Sequence, residues 1–231
     1  MITLLFILIN CCILVTLASF TTLCAQRQLN NQLPWSPKRS FCDHCHHTLR
    51  WWQLIPIFGF VLQLGHCHWC NKRISLFFPL SELIIVLVTL KAFTYSWYHN
   101  LVLTCVLLTL LYLSTTDFIA QVIYPVAIIG LFPLILILPQ QHFSIINITI
   151  ELLIISGFLF TLQTITKGLG TGDIEFILAT NIICHWEATA QIVLIGCLLT
   201  LIPAIIKKDR KLPLVPGLAL GFILKLLFCP Y

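Results

Sequence analysis

The sequence predicts an all-α polytopic membrane protein of about eight transmembrane helices, with a small cysteine-rich loop after the first. Three observations carry that expectation. The chain of 231 residues is 59% hydrophobic and only 9% charged, whereas a soluble domain carries roughly 25% charged residues. Eight apolar runs fall at 2–24, 76–95, 100–116, 122–139, 145–166, 174–184, 188–206 and 212–229. The basic residues gather in alternate loops between those runs. Water could not solvate the surface of so apolar a fold. In hydrocarbon the backbone has no water to bond, so each run must be helical.

The run at 2–24 has no basic segment ahead of it and is too long for the apolar core of a signal peptide. It is expected to be a retained helix. The organisation is then a first transmembrane helix at 1–25, a cytoplasmic cysteine-rich loop at 26–75 and a transmembrane region at 76–231. The run at 174–184 is short against the roughly 20 residues of a full crossing. It is expected to begin earlier, or to be tilted and shielded by its neighbours.

Orientation follows from Lys and Arg. The first loop holds Arg27, Lys38, Arg39, Arg50, Lys72 and Arg73, the seventh holds Lys207, Lys208, Arg210 and Lys211, and Lys167 ends the fifth run. With eight spans these 11 of the 13 basic residues lie on one side, which is therefore cytoplasmic. The opposite loops, 96–99, 140–144 and 185–187, contain no Lys or Arg, and both termini then lie outside the cytoplasm. A seven-span arrangement would split the basic loops between the two sides. The net charge of +5 is thus a signature of topology and does not point to nucleic acid.

Of the 11 cysteines, Cys11, Cys12, Cys24, Cys105, Cys184, Cys197 and Cys229 sit in or beside apolar runs and read as small buried hydrophobes. The other four form two CxxC pairs, Cys42 with Cys45 and Cys67 with Cys70, separated by 21 residues. That spacer is just beyond the roughly 15–20 residues of a four-cysteine zinc ribbon. Each pair turns two sulfurs to one side, and two pairs complete a tetrahedron around Zn²⁺. Four thiolates leave no position for a reactive water, so such a site is structural. The loop is too short to build a core, and a metal cross-link is the staple it needs. His44, His46, His47, His66 and His68 crowd the same turns and are expected to be polar neighbours more than ligands. Unliganded thiols and a redox pair are the alternative readings, and a reducing cytoplasm argues against the second.

Only eight acidic residues occur in the chain. Two of them, Asp117 in STTDFIAQVIYP and Asp173 in KGLGTGDIEF, reach the cytoplasmic ends of different helices at the same depth. Acids near hydrocarbon are costly and mark function. Peptide hydrolysis needs a carboxylate to take a proton from water and a carboxylic acid to protonate the carbonyl or the leaving amine. Two close carboxyls share one proton and supply both forms. Gly168, Gly170 and Gly172 let the backbone bend ahead of Asp173 and let a substrate strand approach. The plain alternative is that both aspartates are interfacial loop residues. Glu82, three residues after Pro79, is a candidate for binding a substrate amine or assisting methyl transfer; otherwise it pairs with an Arg or faces headgroups. Glu151, Glu187, His99, His142 and His185 carry no such expectation, and Trp35, Trp51, Trp52 and Trp69 read as interfacial anchors.

In order along the chain these segments resemble the type IV prepilin leader peptidase family. ASFTTLCAQR at 18–27 is similar to the family's first-helix ending, and 39–83 to its cysteine loop with the Pro-x-x-Glu start of the next helix. TTDFIAQVIYP and KGLGTGDIEF resemble the two aspartate motifs, and LPLVPGLALGF at 212–222 the Pro-rich approach to the last helix. The resemblance implies a GxGD membrane aspartic protease of the bacterial inner membrane. Asp117 and Asp173 would be catalytic, and Gly170, Gly172 and Glu82 supporting. Its substrates would be prepilin or pseudopilin precursors, cut at the cytoplasmic face after Gly and before Phe. Many members also methylate the new amino terminus with S-adenosylmethionine. Two positions depart from the pattern: Val126 follows Pro125 where Asp is frequent, and Glu175 stands where Lys is usual, adding a negative charge near Asp173. With the short chain, these departures fit the competence pseudopilin branch. The rival expectations are a membrane thiol oxidoreductase and a non-catalytic scaffold held by zinc.

Overall fold

The computed structural model describes residues 2–36, 39–92, 96–138, 145–166, 168–207 and 212–228. Lys38, His142, Lys167, Lys208, Arg210, Lys211, Cys229 and the 140–144 loop therefore lie outside the described residues. The chain divides into two compact units, Met1–Phe93 and Thr94–Tyr231.

In the first unit, α1 (Ile2–Leu29) packs against α3 (Phe77–Ala92). The contact stripe on α1 is Cys11, Leu14, Val15, Ala18, Thr22 and Ala25, spaced three and four apart as one helix face requires. Ala18 and Ala25 have no exposed surface, because small residues let two membrane helices approach closely. Leu5, Phe6, Ile9, Ile13 and Phe20 face outward, as suits lipid. The polar loop between these helices holds a 3₁₀ turn (Trp51–Leu54) and the short α2 (Phe58–Leu62). Just before α2 the chain makes a γ-turn at Ile57, with φ 62° and ψ −55°, closed by Phe58 N–H on Pro56 O at 2.6 Å. A β-branched residue at positive φ is strained. The strain is held by buried Glu82, whose Oε2 accepts the Ile57 N–H at 2.7 Å.

In the second unit α4 (Trp97–Ala120) buries Val106, Leu107, Leu110 and Leu113 and ends where Gln121 turns left-handed, φ 55°. The chain re-enters as α5 (Pro125–Ile128), which tightens into a 3₁₀ helix (Ile129–Leu136). Pro133 has no N–H for the α-helical bond to Ile129, which favours the tighter winding. α6 (Ile145–Thr166) follows, then a helical run α7 (Thr171–Lys207) broken at His185, φ 61° and ψ 171°. That break divides α7 into the sixth and seventh predicted runs. α8 (Val215–Phe228) packs on the second half of α7 through three glycines. A Cβ on Gly217 would meet Gly196 O at 2.6 Å, and one on Gly221 would meet Ile192 O at 2.6 Å. Gly217 and Gly221 make the small-xxx-small spacing that lets helix backbones touch in membranes.

The eight predicted apolar runs thus each coincide with helix, and the fold is an all-α multi-pass membrane protein. Leu5–Leu29, Trp97–Ala120, Ile146–Thr166 and Thr171–Ile202 are long and apolar enough to cross a membrane, while Pro125–Leu136 and Val215–Phe228 are shorter. The short sixth run is shielded as expected: Ile174, Phe176, Ile177, Thr180, Asn181 and Ile183 are buried.

Glu82 is expected to stabilise the first unit through its bond to Ile57. Glu82→Ala should lower stability in detergent by about 1–3 kcal/mol, the cost of stranding a buried N–H. Glu82→Gln, which keeps an acceptor oxygen, should retain most of it. Denaturant unfolding measures both, and equal losses would show that the charge itself is required.

Candidate functional site: two aspartates at helix ends and a four-cysteine cluster

The two CxxC segments fold into matching turns. In the first, Cys42 N–H bonds His47 O and His46 N–H bonds Cys42 O; in the second, Cys67 N–H bonds Lys72 O and Asn71 N–H bonds Cys67 O. The fourth residue after each leading cysteine is left-handed, His46 at φ 53° and Asn71 at φ 55°. Isolated bridges, Phe41 with Thr48 and His66 with Arg73, close both turns. The two turns face each other. Cys42 Sγ lies 3.9 Å from Cys70 Sγ, and Cys45 Sγ 3.9 Å from Cys67 Sγ. All four ligand atoms fall within 4.8 Å of one another. Four sulfurs bound at ~2.3 Å to one tetrahedral ion stand about 3.8 Å apart, so the two close pairs match that spacing and a small contraction of the rest would complete a metal site.

The electrostatics of these thiols differ. The Cys67 thiol is lowered to about 7, first by the backbone N–H of Cys70 and then by that of Trp69. At Cys45 the His47 N–H favours the thiolate, yet desolvation and the thiols of Cys42, Cys70 and Cys67 outweigh it and push it up to about 11. A bound cation would take over the role of these unequal thiol contacts. The neighbouring histidines belong to the loop's packing. The His47 ring lies 3.8 Å from that of Trp69, His68 meets Trp52 and Trp69 edge-on, and His66 Nδ1 pairs with Leu64 O at 2.7 Å. Trp69 therefore serves the loop itself, with Arg50 over its ring, while Trp35 and Trp51 are exposed as interfacial anchors would be.

The second site lies in the second unit. Asp117 sits in the last turn of α4, 5% exposed, and its Oδ2 accepts the Val215 N–H at 2.9 Å. Asp173 sits in the first turn of α7, and its Oδ2 accepts the Gly170 N–H at 3.1 Å. Gly172, next to Asp173, packs against Ile123, which follows the end of α4, so the end of α4 and the start of α7 are neighbours.

The glycines of the GxGD segment have separate tasks. A Cβ on Gly170 would stand 3.1 Å from Asp173 Oδ2, so its absence lets the carboxylate fold back over the turn. A Cβ on Gly172 would stand 2.6 Å from Ile123 Cβ, so its absence lets the start of α7 press against the segment after α4. A Cβ on Gly168 would make only ordinary contacts with Thr166, the nearest at 3.8 Å. Val126 is exposed, and so is Glu175, which lines an apolar groove of about 280 Å³ with Pro125, Ile129, Phe132 and Leu178. Glu82 is occupied by the Ile57 N–H and by the Ser19 hydroxyl. Two polar features were not singled out by spacing: the Val215 N–H, and Asn181, fully buried, whose Nδ2 lies 3.5 Å from Glu151 Oε2. Pro216 next to Val215 marks a helix start but does not tell which side chain meets it.

The fold and these sites define a multi-pass membrane protein with aspartates at two helix ends and a cluster of four thiols able to hold a metal ion. Residues 12–96 match the bacterial peptidase A24 N-terminal domain, and residues 102–205 match the type IV leader peptidase family. The chain belongs to the type IV leader peptidase family. A prepilin leader peptidase/N-methyltransferase of Neisseria gonorrhoeae is 28% identical over 82% of this chain and 73% of its own length. Its counterpart in Bacillus subtilis (strain 168) is 29% identical over 82% of both chains. One in Vibrio cholerae is 23% identical over 80% of this chain and 79% of its own. No solved structure matches.

Gly172→Ala is expected to displace the first turn of α7 and lower processing of a prepilin precursor by about 100-fold, as small misplacements of catalytic groups do. Gly168→Ala, whose methyl group would make only ordinary contacts with Thr166, should process at the native rate. Parallel cleavage assays in membranes compare the two, and equal rates would refute the packing role of Gly172.

Proposed function

We propose that the chain is an aspartic endopeptidase that removes the leader from type IV prepilin-like precursors at the cytoplasmic face of the bacterial inner membrane. The observation that supports it best is the pair of carboxyls, from two helices, each with one oxygen held by a backbone N–H. One carboxylate takes a proton from a water molecule as it attacks the scissile carbonyl. The other, protonated, gives its proton to the carbonyl oxygen; the first then passes the proton it took from water to the leaving amine, and the second recovers its own as the tetrahedral intermediate collapses. Both roles need a carboxyl that can gain and lose a proton. The name shared by the relatives extends the proposal to methylation of the new amino terminus, with S-adenosylmethionine as the donor that the resemblance implies. The departures at Val126 and Glu175 support substrates of the competence pseudopilin kind.

The dyad predicts that Asp117→Asn and Asp173→Asn each lower cleavage of a prepilin by at least ~10²–10⁴-fold. The double variant should be hardly worse than either single, because the two act as one unit. Rates on a purified prepilin decide it. Native cleavage by either single variant would remove that residue from the chemistry.

For the metal we infer zinc, held by Cys42, Cys45, Cys67 and Cys70 as a structural cross-link with no open position. Convergence of all four sulfurs favours this over a redox pair. Binding must displace protons from thiols, so affinity should fall as pH falls. The dependence should steepen below about 7, where Cys67 also becomes protonated. Competition of purified protein with a chelator between neutral and mildly acid pH measures it. A flat profile, or reduced protein that takes up no zinc, would sink the assignment. Metal removal should loosen the loop, and the aspartate variants should keep native zinc content.

A further inference from the structure

The last helix begins Leu214-Val215-Pro216-Gly217. The first helical bond runs from Leu218 N–H to Leu214 O, 3.1 Å, so Leu214 is the cap and Val215 the first helical residue. A helix leaves its first N–H groups without partners inside the helix. Pro216 has none to offer. Val215 is wholly buried, and its N–H would be costly to strand in apolar surroundings. It donates to Oδ2 of Asp117, 98 positions earlier in the chain.

We infer that Val215 is a positioning residue of the catalytic pair: its backbone N–H, not its side chain, holds one oxygen of Asp117 and leaves the other for the water and the shared proton. This rests on the dyad reading above. The register of α8 makes the donor reliable. Gly196, Gly217 and Gly221 bring α7 and α8 into backbone contact, so α8 cannot slide along α7 without opening that contact. The positive end of the α8 dipole also favours a carboxylate at this point. Asp173 is held in the same manner by Gly170 within its own turn. Asp117 ends a helix, and helix ends of that polarity expose carbonyls, so its donor must come from another element. α8 supplies it.

The test replaces the 214–215 amide with an ester by incorporating the α-hydroxy analogue of valine, which removes the N–H and keeps the side chain. Its substrate is a peptide with a basic leader, Gly-Phe and an apolar stretch. The ester form should lose about 10- to 100-fold in kcat, as expected for a bond to a charged group, with KM unchanged. Val215→Ala keeps the N–H and trims only a buried side chain, so its kcat should fall far less than that of the ester. Val215→Pro, tolerated at a first helical position, removes the same donor by a second route and should resemble the ester. Thermal unfolding in detergent should show a cooperative transition above the assay temperature for every variant, so that kcat is read on folded protein. Native kcat in the ester or the Pro form, with Asp117→Asn inactive, would overturn the inference and leave the dyad standing. Native cleavage by Asp117→Asn would overturn both. A loss in Val215→Ala equal to that of the ester would assign the effect to side-chain packing and overturn it as well.

Discussion

Three acids in this chain share one arrangement: each accepts a backbone N–H that a break in helical structure leaves without a partner. Glu82 takes that of Ile57 before α2, Asp173 that of Gly170 before α7, and Asp117 that of Val215 at the start of α8. In apolar surroundings a stranded N–H and a bare carboxyl are both expensive. Pairing them offsets both costs and fixes where the carboxyl points. Helix starts are the natural places for it, since orphan donors and the positive end of the helix dipole coincide there.

That constraint explains why glycine recurs beside the acids. A carboxyl can fold back onto Gly170 N–H only because no Cβ stands in its way. The start of α7 can approach Ile123 only because Gly172 has no side chain. Farther along, Gly196, Gly217 and Gly221 set α8 against α7 at backbone contact. Where apolar side chains gain nothing by leaving lipid, close packing is what holds helices together. The chemistry of the second unit thus depends on absent side chains as much as on the aspartates.

The polar loop of the first unit solves a different problem. It lies between two apolar helices, has little to bury and makes two turns whose ends are closed only by isolated bridges. Its four thiols converge to the spacing of a tetrahedral site, which is a cross-link suited to a segment with no core. Of the histidines that crowd the motif, His46, His47 and His68 make ring contacts with Phe41, Trp69 and Trp52. Small turns offer the metal one donor face, and the rings lie outside it.

By itself the sequence determined the class of fold, because eight apolar runs in lipid have no option but helix. It also pointed to the cysteine cluster, since each CxxC turn sets two sulfurs to one side and a loop without a core is suited to a shared metal. It singled out the two aspartates by rarity, as acids at the edge of hydrocarbon among so few charges. Tertiary structure alone decided what each acid touches. Glu82 meets a strained turn 25 residues upstream. Glu175 and Val126, the two departures from the family pattern, are exposed. The partner of Asp117 lies 98 residues downstream and is a main-chain N–H. Every residue but proline carries that group, so no residue letter could mark it. Only the packing of α8, through glycines whose meaning is the space they leave, selects Val215 from all the others.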